Sequence, residues 1–149
     1  MKEFDVVDLD ADPALPFYDW KVEQHCRGGQ FSWDVSKVHL HTTQIQVCGG
    51  YVDCHMLNDE LKGMTCFNGN LLDFLLQSPW RIPDKWKGNG SIFFWGTVYR
   101  HWNTVVYQPG GLLGVRALYW NGDAWTWGLQ NLYDGTGFGR GHFVVVRSN

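Results

Sequence analysis

Cys48, Cys54, His55 and Cys66, with His39, His41 and the His25-Cys26 pair nearby in sequence, are residue types that zinc accepts as a tetrahedral set. Their spacing argues against it. Five residues separate Cys48 from Cys54, wider than the usual knuckle, and no second knuckle follows. Read as small buried hydrophobes, the cysteines need no metal, and no cofactor is expected. Asp8, Asp10, Asp12 and Asp19 match the acidic positions of a calcium loop, but Pro13 stands where that loop turns on Gly, and Asp19 is too short to replace a bidentate Glu. A solvated acidic arm explains them better. The glycines at 135, 137, 139 and 141 around Arg140 suggest a backbone cradle for phosphate, yet no helix follows and the Lys-Ser/Thr pair is missing. No nucleophile elbow, His-Glu-x-x-His helix or carboxylate pair occurs. His101, His142 and Cys66 remain as catalytic candidates, so a small enzyme with a His/Cys pocket is the alternative and not the first reading.

The aromatics speak more strongly. The chain holds 9 Trp, 9 Phe and 6 Tyr. Trp95, Tyr99, Tyr119, Trp120, Trp125 and Trp127 fall on predicted strands, where ring faces offer a platform for sugars, bases or apolar groups. Arg100 and Arg116 supply hydrogen bonds or stack at its edge. The same rings serve equally as the core of a small sheet or as a subunit interface, since a period of two does not say which face is wet. The expected function is a non-catalytic binding or interaction module using this aromatic/Arg surface. Its ligand is a small molecule or a protein, and a homodimer through an aromatic strand or face is expected because so many rings are hard to bury.

The elements that must position these residues are legible in outline. Residues 1–20 form the acidic arm, broken by Pro13 and Pro16 and anchored at its end by Phe17, Tyr18 and Trp20. Residues 31–55 read as strands, including β-type residues from Thr42 to Val47 and a short strand from Tyr51 to His55. Residues 56–78 hold a helical pair: Leu57 and Leu61 before the stop at Gly63, then a stripe of Leu71, Leu72, Leu75 and Leu76 capped at Asn68 or Asn70 and closed by Pro79. From 91 to 148 the pattern changes to an antiparallel meander, with strands at Ser91–Arg100, Leu112–Trp120, Ala124–Tyr133 and Gly141–Arg147. A turn at Gly122-Asp123 places Trp120 opposite Trp125.

A chain of 149 residues with 18% charged residues suits one α+β domain: a mostly antiparallel, twisted sheet with the helical pair packed on one face. A net charge of −3 argues against duplex DNA as a partner. No apolar run is long enough to cross a bilayer, and the acidic start is unlike a signal peptide, so no membrane association and a cytoplasmic location are expected.

Four blocks, Asn70–Leu76, Ile82–Gly88, Phe93–Arg100 and Val115–Trp120, resemble in content and order a group of short bacterial proteins without an established activity. That group has a Trp-bearing strand, a Leu-rich helical pair, an Ile-Pro-x-x-Trp-Lys-Gly connector and a Trp-rich meander. The resemblance spans roughly residues 31–130 and implies a shared fold, not a chemistry. The loop Asn103–Gly111 and the glycine-rich tail Asp134–Asn149 depart from it. A compact accessory domain of this kind fits a gene carried on a mobile element.

Overall fold

The structure, a computed structural model, describes residues 5–102, 111–133 and 135–148; Phe4, Asp134 and most of the expected loop at Asn103–Gly111 lie outside these residues. In chain order the strands are β1 (Val6–Asp8), β2 (Trp20–His25), β3 (Gln30–Ser32), β4 (Val38–His41), β5 (Val52–Asp53), β6 (Ser91–Phe93), β7 (Thr97–His101), β8 (Leu112–Trp120), β9 (Trp125–Leu132), β10 (Gly137–Phe138) and β11 (His142–Arg147). The α-helices are α1 (Gln44–Val47), α2 (Cys54–Leu61) and α3 (Gly69–Gln77). The fold is α+β with a large, curled, mostly antiparallel sheet.

β8 is the spine. On one edge it carries β9, joined by a turn in which the Asn121 side chain accepts from the Asp123 and Ala124 amides while Gly122 takes a positive φ. Trp120 lies opposite Trp125 as expected. The other edge is shared by two strands set end to end, β6 on the Ala117–Leu118 half and β7 on the Leu112–Gly114 half. Between them Phe94, Trp95 and Gly96 bulge out of register, and the sheet forks. One branch continues from β7 to β2, the other from β6 to β11 and β4.

The fork leaves a slot, and residues 65–67 fill it. Cys66 bridges Val146, the Phe67 amide donates to the Val145 carbonyl at 3.1 Å, and the Gly96 amide donates to the Phe67 carbonyl at 3.0 Å. Through this slot the chain passes from one face of the sheet to the other. Leu71, Leu72 and Leu75 of α3 pack with Ile92 and Leu118, whereas Leu57 and Leu61 of α2 pack with Phe93, Val115 and Ala117. Neighbouring strand residues point to opposite faces, so the two helices cover different sides of the sheet. The expected packing of both helices on one face is therefore corrected: the linker crosses the sheet instead of turning back over it.

Three further expectations change. The short strand expected at Tyr51–His55 stops at Asp53, whose side chain accepts from the Met56 amide and starts α2 at Cys54. Thr42–Val47 is not strand, because Thr43 caps α1 and Gln46 reaches back to the Thr43 amide, closing a capping box that overrides the β propensity of Ile45 and Val47. Gln46 is buried, and its amide serves the Gly139 and His142 carbonyls. The last strand leaves the meander. β10 pairs with β5 and carries the chain away from β9, so that β11 adds parallel to β6.

Candidate functional site

The register divides the expected aromatic platform between the two faces. Tyr99, Arg116, Trp120, Trp125 and Trp127 share the α3 side, as the pairs Tyr99–Gly114, Leu118–Trp127 and Trp120–Trp125 require. Trp95 belongs to the α2 side, where it packs with Phe138. Tyr119 and Arg100, offset by one residue from Trp120 and Tyr99, also point to that side.

On the α3 side the rings are largely committed. Arg116 is buried, forms a two-pronged pair with Asp73 at 3.1 and 2.9 Å, and lies over Trp127 at 4.4 Å; its Nε has no hydrogen-bond partner. Tyr99 is fully buried and donates to the Ala14 carbonyl at 2.8 Å, its phenol pushed up from the ordinary pKa by burial. The acidic arm thus lies on this face, with Phe17 against Trp127 and Pro16 buried. Lys87 covers Trp120 at 4.1 Å.

A chain of hydrogen bonds runs from α3 to the arm. The Gly69 amide donates to Thr97 Oγ1, Thr97 meets His25 Nδ1 at 2.9 Å, and His25 Nε2 meets the Ala11 carbonyl at 3.1 Å. A carbonyl only accepts, so Nε2 carries the proton and Nδ1 accepts from Thr97. His142 is similarly fixed, its Nδ1 accepting from the Gly139 amide at 3.0 Å. Burial lowers both imidazoles from the ordinary value of 6.5. The unfolded chain then binds protons more readily, so their contribution to stability is complete above 6.5 and is lost as pH falls through and below it. Glu23, Asp34 and Asp59, held low by hydrogen bonds to Arg100, Ser36 and Lys62, act only below their ordinary 4.5 and 3.8. Urea midpoints are expected to drop between about pH 7 and about pH 5. A flat profile across that interval would contradict the imidazole assignments.

The α2 side holds an open groove. One cavity of about 320 Å³ is walled by Glu23, His55, Val98, Leu113 and Leu132, and a second of about 330 Å³ by Cys26, Leu61, Lys62, Met64 and Cys66. Gln24, Asn58 and Trp95 line both. Trp95 Nε1 donates to Asn58 Oδ1 at 3.2 Å, forming the sill where the lobes meet. Each lobe has the volume of a small-molecule site, about 300 Å³ or more, with an apolar wall and a few polar groups. Glu23 is held by Arg100 in a two-pronged pair at 2.8 and 2.9 Å, and Arg100 keeps its carboxyl below the usual range.

The chain matches no protein-family model, no curated protein and no solved structure. Burial pushes the Cys66 thiol up to about 12, so it presents no thiolate near neutral pH, and Cys54 is buried with its S–H donated to the Tyr133 carbonyl at 3.3 Å. Cys48 is exposed and lines neither lobe. Among the described residues no three His, Cys, Asp or Glu side chains converge on a metal position. The four Asp residues of the calcium-like spacing are also dispersed: Asp8 accepts from the Asp10 amide, Asp10 from Gly29, Asp12 pairs with Arg27, and Asp19 with His101. Arg140 is occupied by the Val47 carbonyl. Among the described residues no helix is long and apolar enough to cross a membrane.

Asn58, Gln24 and Lys62 were not singled out in the sequence. One signal pointed to Asn58: Cys54, Leu57 and Leu61 form the buried stripe of α2, and Asn58 occupies the i+4 position of that stripe, where an apolar residue belongs.

Proposed function

We propose that the protein is a non-catalytic binding module whose ligand seat is the α2-side groove, and that it takes a small amphipathic molecule. The observation that carries this reading is the pair of cavities meeting over the Trp95–Asn58 hydrogen bond. An apolar ligand body lies against Val98, Leu113 and Leu132, while Gln24, Asn58 and Lys62 supply polar contacts at the rim. The aromatic/Arg surface read from the sequence contributes here through Trp95 directly and Arg100 through its hold on Glu23. The raised Cys66 thiol and the paired Glu23 support binding over catalysis, although His and Cys line the pocket. Unbridged cysteines support a reducing compartment.

Asn58→Trp tests this. Asn58 is exposed on α2, so the larger ring finds room there and comes to occupy the sill, at the cost of the acceptor for Trp95 Nε1. Anilinonaphthalene sulfonate, followed by its own fluorescence, is expected to bind the wild type and to lose affinity by about tenfold or more in the variant, at a temperature where both proteins are folded, with Tm lowered by about 8 °C at most. Equal affinity in both proteins would refute the groove as the seat.

A further inference from the structure

We infer that the channel holding the acidic arm is a docking site for an acidic, proline-containing peptide of another protein that pairs as a strand and then turns, with the arm as its built-in occupant. The contacts on the α3 side carry this independently of the groove. Side chains of the body grip the arm by its main chain. Asn68 Nδ2 donates to the Leu9 carbonyl at 2.9 Å, Asn70 Nδ2 to the Asp8 and Ala11 carbonyls at 3.1 and 2.8 Å, and Tyr99 Oη to the Ala14 carbonyl at 2.8 Å. His25 shares the Ala11 carbonyl, and Arg27 donates to the Asp10 carbonyl.

These grips take hold of carbonyls, and any segment that pairs along β3 and then makes the turn that the Asp8 side chain stabilises here presents the same carbonyls, whatever its source. Specificity comes from the seats between the grips. β1 adds as a strand to β3, Val7 and Leu9 are buried, and Gly28 lies so close to Leu9 that a Cβ there would stand 2.9 Å from its methyl. Pro16 is buried and Phe17 rests half-exposed on Trp127 at 5.8 Å. Acidity is read by Arg27, which pairs with Asp12, and by Arg81, which pairs with Asp5 at 3.0 Å. A ligand of the arm's own kind, with an apolar residue, spaced acids and a proline followed by an aromatic, meets all of these.

The tethered arm competes at an effective concentration of about millimolar, so the resting protein is self-blocked. The test uses the full chain and a fluorescent synthetic peptide copying residues 5–19, read by anisotropy, with a scrambled peptide beside it. Loosening the arm by Pro16→Ser with Phe17→Ser is expected to tighten peptide binding by about tenfold or more over wild type, and adding Asn70→Ala is expected to reverse the gain. A second measurement needs no variant: excess peptide added to the wild type is expected to shift the side-chain amide resonances of Asn68 and Asn70. Peptide binding no tighter in the loosened protein, equal binding of the scrambled peptide, or still Asn68 and Asn70 resonances would overturn the proposal. So would a loosened protein that dimerises in sedimentation while ignoring the peptide, which would assign the channel to arm exchange between copies.

Discussion

Asp73→Ala is expected to lower the unfolding free energy by about 3 kcal/mol or more, because it strands the Arg116 guanidinium away from water. Arg116 has 5% of its side chain exposed and Asp73 has 31%, so the two partners are not equivalent. Removing the arginine leaves a carboxylate that water reaches. Removing the carboxylate leaves a buried cation whose Nε is already without a partner, with the Trp127 face and the neutral Tyr99 phenol as its remaining company. Arg116→Met should therefore be milder than Asp73→Ala, and the double change Arg116→Met with Asp73→Leu should recover much of the loss, since apolar groups of similar volume replace a buried pair at little net cost. Urea denaturation of the four proteins measures this. A loss below about 1 kcal/mol for Asp73→Ala would mean that the pair is solvated in the folded chain.

Gly96→Ala carries the second large effect, about 3 kcal/mol or more, and loss of folding at physiological temperature is within its range. A Cβ at Gly96 would stand 2.6 Å from the Cys66 carbonyl oxygen and 2.8 Å from the Phe67 carbonyl. Those atoms belong to backbone pinned on the other side by β11, so they have nowhere to move. The clash falls on the slot where the chain changes faces. Thermal unfolding of the purified variant is the measurement. A Tm within a few degrees of wild type would show that the fork and the threaded segment are looser than described.

The periods and caps that were readable were local. The α3 stripe, the Asn68 cap, the Gly63 stop and the Trp120–Trp125 pairing all depend on residues within one turn of each other, and these were legible. The slot was not. Phe94-Trp95-Gly96 reads as ordinary strand until Cys66 and Phe67 are placed beside it, and nothing local requires a bulge there. The Thr43–Gln46 capping box is a bare Thr-x-x-Gln spacing in the sequence, and the β-branched Thr42, Ile45 and Val47 around it read as strand. For the site, Trp95 and Arg100 were found by type, yet their separation from Tyr99 and Trp127 depends on strand register across the bulge. Both parities of the strands are apolar because each face carries its own helix, and that symmetry hid which rings belong together.

The proposed ligand seat lies on the Trp95 side of the sheet and not on the side of Trp120, Trp125 and Trp127. Titrating isotope-labelled full-length protein with anilinonaphthalene sulfonate and following the resonances of its 9 indole N–H groups distinguishes the two directly. Trp95, whose N–H is held by Asn58 at the sill, is expected to move furthest while those three stay in place. Movement of Trp120, Trp125 and Trp127 with Trp95 unchanged would contradict it.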